Sequence, residues 1–250
     1  MIKLKTVNEL RLLRAAGRIS QKALRLAGGA VEPGVTTKEI DEIVRKYIEG
    51  QGATPSFLGY GGFPASACIS VNNVVVHGIP SEECVLKSGD IVSIDVGACL
   101  NGYHGDNAWT FACGDVREEA KNLIEATENA LYEGIKAAKA FSRIGDIGHA
   151  VQKYAELRSY SVVRDFVGHG VGANLREDPK VPNYGTPNTG AKLLPGMVIA
   201  IEPMINMGSH KVRVLKDNWT TVTADGSLSA HFEHTIAITN DGPVILTSLD

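Results

Sequence analysis

The feature that most constrains the fold of this 250-residue chain is an internal repeat with one fixed offset. Residues 39–49 (EIDEIVRKYIE) resemble residues 146–156 (DIGHAVQKYAE), which lie 107 positions later. Residues 86–97 (LKSGDIVSIDVG) resemble residues 193–204 (LLPGMVIAIEPM) at the same offset. Two separate segments that share one offset favour a chain of two similar halves over a solenoid of short repeats.

Hydrophobic periodicity predicts the same order of elements in each half, two helices followed by strands. In the first half we expect a helix over residues 6–29 and a second from Thr36 or Thr37 to about Gly50. In the second half, EEAKNLIEATENALYEGIKAAKA and residues 146–158 both read as helices. Helices followed by strands in each half are typical of the α+β class.

No linker rich in proline, glycine and serine separates the halves. We therefore expect a single domain over residues 1–250, with pseudo-repeat halves of about 1–115 and 116–250. One hydrophobic core can still serve a domain of this size.

Composition and charge exclude several classes of protein. The formal net charge of −3 predicts neither a nucleic-acid partner nor attraction to an anionic membrane. The N-terminal segment lacks the apolar core of a secretory signal, and no run approaches the roughly 20 apolar residues that span a bilayer. Four scattered cysteines without a CxxC pair are typical of reduced thiols. We therefore expect a cytoplasmic protein, and we take it to be a monomer.

Acidic residues interrupt segments that otherwise read as apolar strands. The repeat maps Asp95 onto Glu202, and strand alternation puts each on a face with small residues such as Ser93 and Ala200. In HFEHTIAIT, Glu233 likewise lies on the smaller and more polar face of its strand. Carboxylates in such strands are costly unless they are paired, protonated or bound to a metal.

A fourth carboxylate is placed by a turn signal. The dipeptide Asn101-Gly102 predicts a two-residue hairpin, which would set Asp106 opposite Gly97. Asp95 then lies diagonally beside Asp106 on the same face, within reach of a shared ion. A slip of one residue in the register would separate them.

A histidine completes the candidate set. His169 lies between two glycines in VGHGVG, so its backbone can approach other elements closely. Four carboxylates gathered in one core repel each other, and divalent cations relieve that repulsion. Carboxylates with one imidazole suit two ions of a borderline metal such as Co, Mn, Fe, Zn or Ni.

These residues stand in the order and local contexts of the methionine aminopeptidase family, which this chain resembles over essentially its whole length. The matching strings are PSFLGYGGFPASACISVNNVVVHGIP, IDVGACLNGYHGDNAWTF, GHGVG, IEPM and FEHT. The chain looks like the short bacterial type I form. The resemblance implies the pita-bread fold of the M24 peptidases, with two pseudo-symmetric halves of helices packed on a curved antiparallel sheet. It also implies that two divalent metal ions are held by Asp95, Asp106, His169, Glu202 and Glu233.

The activity that the resemblance implies is removal of the N-terminal methionine from nascent polypeptides. A hydroxide that bridges the two metals would attack the first peptide bond. Glu202 would move the proton as well as bind metal, and His77 would contact the scissile bond and assist the transition state. The N-termini of nascent chains would then be the partners, and contact with the ribosome is left open.

The resemblance also implies a pocket for the methionine side chain, whose apolar lining suits a thioether. Four residues match positions around it, namely Tyr60, Phe63, Cys68 and Trp219. Phe57 stands where the family often has a cysteine, which bears on the size of the pocket. Read without the resemblance, His77 could be a hydrogen-bonded loop histidine, and Tyr60 and Trp219 could be core aromatics.

One departure from the family's pattern lies seven residues after His169, where the family has a second histidine that contacts the substrate near the scissile bond. This chain has Arg176 there. Arginine donates hydrogen bonds but does not readily cycle a proton. It also adds positive charge beside two cations unless Glu177 or Asp178 draws it away. We expect a substrate-binding role for Arg176 and slower or altered peptidase activity.

Two other functions stay open on the sequence alone. One is a catalytically impaired binding module of the same fold, which Arg176 supports. Retention of all five candidate ligands argues against it, because buried acids without metal are destabilising. The other is a different peptidase of the same fold, such as one that cuts before proline. Such enzymes usually carry a large extra N-terminal domain, for which 250 residues leave no room.

Overall fold

A computed structural model of the chain describes residues 2–249. Within this range the helices are α1 (Val7–Gly29), α2 (Thr37–Gly50), α3 (Glu118–Ala137) and α4 (Ile144–Glu156). The strands are β1 (Thr54–Pro55), β2 (Ala67–Val71), β3 (Val74–Val76), β4 (Ile91–Leu100), β5 (Tyr103–Ala112), β6 (Ser161–Val162), β7 (Gly168–Gly170), β8 (Glu177–Val181), β9 (Val198–Ile201), β10 (Met204–Asn206), β11 (Val212–Val214), β12 (Thr221–Thr223), β13 (Ser229–His231), β14 (Glu233–Thr239) and β15 (Gly242–Ile245). Across residues 2–249 no helix combines the length and apolar character that a membrane crossing requires.

Local sequence signals set where the first two helices begin. Thr6 and Thr36 are the N-caps of α1 and α2, and each closes a capping box with the glutamate three residues later. The prediction of an N-cap at Thr36 is confirmed. α4 begins two residues before the predicted start at 146. α3 ends at Ala137, three residues short of the prediction, because the backbone of Ala138 leaves the helical region (φ −78°, ψ 52°).

A nine-stranded sheet forms the centre of the molecule, and every strand pair in the described residues is antiparallel. Its order is β1–β4–β5–β14–β9–β7–β8, with β2 also beside β4 and β15 also beside β14. β14 therefore lies between a strand of the first half and a strand of the second. This arrangement of helices on a curled antiparallel sheet confirms the predicted α+β class.

The hairpin of β4 and β5 has the register that its turn residues predict. Asn101 and Gly102 both have positive φ (51° and 79°), as a two-residue hairpin turn requires. Leu100 pairs with Tyr103, and the pairing continues along both strands without a shift. Face and register in this hairpin are therefore those expected from the sequence.

Each half packs its two helices against its own part of the sheet. In the first half, apolar residues of α1, α2 and β4 form one buried cluster that includes Leu24, Ile40 and Ile94. In the second half, residues of α3, α4, β9 and β14 form another cluster that includes Leu131. Trp109 of β5 packs against both clusters, so the cores are joined across the sheet.

The offset of 107 residues recurs in the structure. α2 and α4 begin 107 residues apart, and so do β4 and β9. An isolated bridge joins Thr36 to Val85, and a second joins Arg143 to Lys192 at the same offset in both partners. The two halves therefore repeat their backbone path as well as their sequence pattern. The exact division near residue 115 stays a prediction.

The contact of α1 with the sheet depends on a glycine. A Cβ placed on Gly17 would lie 2.6 Å from the carbonyl oxygen of Leu246, which is backbone and cannot turn away. A Cβ on Gly105 of β5 would lie 2.4 Å from the Cα of Gly17. The helix, β5 and the C-terminal segment thus approach each other more closely than any side chain allows.

We predict that Gly17→Ala lowers the free energy of unfolding by about 1–3 kcal/mol, because the added methyl group must push the backbones apart. Urea denaturation measures this change. Gly29→Ala in the same helix is the matched control, since nothing lies within 4 Å of the new Cβ. It should leave stability unchanged or slightly raised. Equal stability of the wild type and Gly17→Ala would contradict the account of this contact.

Candidate metal centre

Three of the candidate ligands meet around Ala108 in the middle of the sheet. Ala108 of β5 pairs with Asp95 of β4 on one side and with Glu233 of β14 on the other. Directly paired residues share a face, and so do residues two apart in one strand, so Asp106 projects on the same side. The small side chain of Ala108 leaves the space between the three carboxylates open.

Glu202 joins this group from the neighbouring strand. β9 and β14 pair Ile201 with His234, and the same register carried one residue further sets Glu202 beside Glu233. The side-chain amide of buried Asn183 donates to the Glu202 carbonyl oxygen at 3.0 Å, which fixes the backbone at this point.

A side chain also ties β14 to β5 beside the acids. The hydroxyl of Thr235 donates to the Asp106 carbonyl oxygen at 2.7 Å and accepts from the Asp106 N–H at 3.2 Å. The ladder between β5 and β14 pairs Glu233 with Ala108 and His234 with Asn107, and it ends there. The threonine hydroxyl therefore satisfies the backbone of Asp106 where the ladder has ended.

His169 turns one ring nitrogen toward these acids. Its Nδ1 lies 2.9 Å from the Gly170 carbonyl oxygen, which can only accept, so Nδ1 carries the proton and Nε2 is free to bind a metal. Nε2 lies 3.7 Å from Asp106 Oδ2 and 3.5 Å from Glu202 Oε1. One ligand atom each of Asp106, His169 and Glu233 lies within 4.8 Å of the other two.

The acids are buried without the partners that burial demands. Asp106, Glu202 and Glu233 are 3%, 6% and 2% exposed, and Asp95 is half-buried. Each of the four carboxylates has one buried oxygen that makes no hydrogen bond. Buried polar atoms are normally satisfied, so these four oxygens call for a cation. The donor set of carboxylates and one neutral imidazole fits divalent metal ions.

Burial shifts the ionisation of the whole group. It raises the pKa of Asp106 to about 7 and that of Glu202 to about 8, although the charge of Arg176 works in the opposite direction. Burial and then the neighbouring carboxylates raise the pKa of Asp95 and of Glu233 well above their usual values. Without metal the site therefore holds protons that a cation would displace.

An apolar pocket opens into the same cavity. It is lined by Phe57, Tyr60, Phe63, Cys68, Leu175 and Trp219. The rings of Phe63 and Trp219 meet edge to face at 5.2 Å. The cavity has a volume of about 110 Å³, whereas sites for whole drug-sized ligands measure roughly 300–1,000 Å³. This volume covers the acids as well as the apolar lining, so the cavity admits an amino-acid side chain rather than a whole ligand of that size.

His77 lies at the border between the acids and the apolar pocket. Its backbone is left-handed (φ 59°), and its ring stands edge to face with Phe166 and Trp219 at 5.3 and 6.1 Å. Burial and then the charge of Arg176 lower the pKa of His77 to about 4, so its ring is neutral near pH 7. A neutral ring can donate one hydrogen bond and accept another.

Arg176 lies at the mouth of this cavity with its side chain exposed. Its guanidinium makes no hydrogen bond and no ion pair with any residue in the range 2–249. Glu177, its neighbour in sequence, is bound instead to Lys5, whose Nζ lies 2.6 Å from Glu177 Oε2. Glu177 therefore does not pair with Arg176. The positive charge of Arg176 acts on the carboxylates of the cluster instead.

The structure brings all the sequence-predicted site residues to one cavity. The set comprises Asp95, Asp106, His169, Glu202, Glu233, His77, Tyr60, Phe63, Cys68, Trp219 and Arg176. Sequence reasoning missed Leu175, because a lone leucine in a loop carries no periodic signal. It also missed Asn183, which belongs to no motif. Its side-chain amide donates to the backbone carbonyl oxygen of Glu202.

The fold and the buried cluster define a class of protein, the metal-dependent peptidases of pita-bread fold. Metallopeptidase family M24 matches residues 11–240, and the chain belongs to this family. It is 55% identical to methionine aminopeptidase 1 of Bacillus subtilis (strain 168), over 99% of both chains. It is 56% identical to a methionine aminopeptidase of Clostridium perfringens (strain 13 / Type A), again over 99% of both.

Solved structures agree with this assignment. The methionine aminopeptidase of Thermotoga maritima superposes with a TM-score of 0.98 at 46% identity, covering 99% of this chain and all of that one. The prolidase of Pyrococcus horikoshii OT3 superposes with a TM-score of 0.80 at 24% identity, and the match covers 64% of its length. The second similarity shows the fold alone.

We predict that the metal-stripped protein loses stability as the pH rises from about 7 to 8. Above the usual pKa of histidine, the histidines are mostly neutral in both the folded and the unfolded chain. Burial raises the pKa of Asp106 to about 7 and that of Glu202 to about 8, so in this range the folded chain binds more protons than the unfolded one. The free energy of unfolding therefore falls with pH. Urea denaturation in a chelating buffer measures the slope.

Glu233→Gln removes one of the mutually repelling charges and should flatten this slope. Excess Mn²⁺ should stabilise the wild type most at the alkaline end, where protons no longer compete with it. A metal-stripped wild type whose stability is constant or rises over this range would contradict the account.

Proposed function

We propose that this chain is a metal-dependent aminopeptidase that releases the N-terminal methionine of polypeptides. One observation supports this best: a single small cavity joins an imidazole and four carboxylates, each with one unsatisfied oxygen, to an apolar lining. A peptidase that cuts after one residue needs this combination, a hydrolytic centre next to a closed pocket for the first side chain. Close relatives named methionine aminopeptidases support the same activity.

The family uses divalent metal ions, and we propose two per chain, drawn from Co, Mn, Fe, Zn and Ni. They would be held by Asp95, Asp106, His169, Glu202 and Glu233. When bound, such ions act as Lewis acids on a carbonyl oxygen and lower the pKa of water.

Residues of the chain orient the substrate and move protons. Glu202 has a carboxylate inside the cavity with a raised pKa, so it can take up a proton and deliver it to the amine that leaves. His77 lines the same cavity as a neutral ring that can donate a hydrogen bond to the scissile amide. The position of the ring is set by its aromatic neighbours, which leave it little freedom to turn.

The first side chain of the substrate would enter the apolar pocket. Phe63 and Cys68 are buried there, Trp219 closes one side, and Tyr60 lies exposed at the entrance. Aromatic edges make favourable contacts with a thioether sulfur, which suits methionine. A free amino group at that end would lie near the acids, which explains a preference for the N-terminal residue.

We propose the N-termini of nascent polypeptides as the partners, bound in an extended form with a small second residue. The chain would then work in the cytoplasm as a monomer, and contact with the ribosome stays a prediction. The net charge of −3 does not favour a nucleic acid or an anionic membrane as a further partner.

The alternative of a binding module without catalysis is disfavoured by the site. All five candidate ligands are present and face one cavity, and holding them together without metal would destabilise the fold. A cut before proline has no support beyond the shared fold.

We predict that the protein loaded with Mn²⁺ or Co²⁺ releases methionine from the peptide Met-Ala-Ser, and that chelation stops the release. Glu202→Gln should lower kcat by about 100-fold or more, since it removes a proton-transfer group. Glu118→Gln, at an exposed acid of α3, is the control and should keep the wild-type rate. Liberated methionine is measured by chromatography. Undiminished release by Glu202→Gln, or release in the presence of chelator, would count against the proposal.

A further inference from the structure

Among the described residues, 2–249, Arg176 is a cation without a hydrogen-bonded partner at the mouth of the candidate active site. Its guanidinium offers five N–H donors, and no group in that range accepts from any of them. The nearest acid in sequence, Glu177, is engaged by the ammonium group of Lys5 at 2.6 Å. A planar fork of donors held free beside a substrate cavity is well suited to a planar anion.

The residue before it fixes where this cation lies. Leu175 is 3% exposed and packs in the apolar cluster with Phe57, Phe63 and Cys68. The chain therefore places an apolar side chain inside the methionine pocket and a charged one directly beside it at the entrance. A peptide whose first side chain fills the pocket can therefore bring its following residues to Arg176.

The shared cavity brings the guanidinium within range of the leaving group. Arg176 and Glu202 line the same cavity, and Glu202 is the residue that we propose to protonate the leaving amine. That amine belongs to the second residue of the substrate, so groups just after the scissile bond come within reach of Arg176.

We propose that Arg176 is a specificity-determining residue that binds a carboxylate of the substrate just after the scissile bond. In a dipeptide that begins with methionine, this group is the C-terminal carboxylate. In a longer peptide, it is an acidic side chain of the third residue. The inference rests on the proposed function, because it takes the first side chain and the metals to bind as described above.

Kinetics with paired peptides test the proposal on the Mn²⁺-loaded protein. Met-Ala is compared with Met-Ala amide, and Met-Ala-Asp amide with Met-Ala-Asn amide, so that the two sources of carboxylate are separated. In at least one pair, we expect kcat/KM to be about tenfold higher or more for the peptide that carries the carboxylate. Charge-assisted hydrogen bonds are strong enough for this difference. In Arg176→Gln this ratio should fall to about one.

Two control variants show whether this ratio of kcat/KM values depends on a contact between Arg176 and the carboxylate. Arg213→Gln removes an exposed arginine of β11, and it should keep the wild-type ratio. Arg176→Lys keeps the charge but loses the fork of donors, so it should recover only part of the ratio. The melting temperature of each variant is measured first in the Mn²⁺-loaded form, in which the metal neutralises the acids. Arg176→Gln should then match the wild type, because the guanidinium has no hydrogen bond to lose among residues 2–249.

Calorimetry separates this proposal from the proposed function. The ligands are analogues of Met-Ala and Met-Ala amide in which a reduced bond, CH₂–NH, replaces the scissile amide and cannot be hydrolysed. We expect the acid analogue to bind the Mn²⁺-loaded wild type about tenfold more tightly than the amide, and the two to bind Arg176→Gln equally. Failure to release methionine from any peptide, with this binding difference intact, would overturn the proposed function and leave the role of Arg176 standing. Equal binding of both analogues to the wild type, or the same difference in Arg176→Gln, would overturn the role of Arg176.

Discussion

Repulsion among four carboxylates at one point of the sheet is the constraint on which the rest of this structure depends. Each acid comes from a different strand or strand end, and each keeps a buried oxygen without a hydrogen bond. Such an arrangement is unfavourable for the protein alone, because charge is taken out of water without compensation. The fold must therefore hold the acids rigidly until cations, or protons, neutralise them. The surrounding strands, helices and glycines serve that requirement.

The two halves of the chain divide this task. The first half contributes Asp95 and Asp106 on one hairpin, and the second half contributes Glu202 and Glu233 on neighbouring strands. β14 lies between β5 and β9, so the acids converge where the halves join. Each half packs its helices on its own part of the sheet, and Trp109 connects the two cores. The candidate metal centre and the joint between the halves are thus the same place, so metal binding there would stabilise the fold.

Much of the site could be predicted because it follows from periodicity and turn chemistry. The Asn101-Gly102 turn fixes the register that pairs Asp106 with Gly97, and the repeat finds Glu202 from its counterpart in the first half. The end of α3 and the role of Leu175 could not be predicted in this way. Both depend on packing between segments distant in sequence, which no local pattern records. The lack of an ion pair between Arg176 and Glu177 could not be predicted either. Glu177 pairs instead with Lys5, which is distant in sequence.

Metal binding by the converging acids is the central claim, and a crystal grown with manganese tests it most directly. Anomalous diffraction at the manganese edge locates the ions without reference to the protein. We expect two peaks in the cavity, bounded by Asp95, Asp106, His169, Glu202 and Glu233, with the previously unsatisfied carboxylate oxygens turned toward them. Crystals that hold manganese only at the surface, while these carboxylates remain unligated in the cavity, would contradict the account.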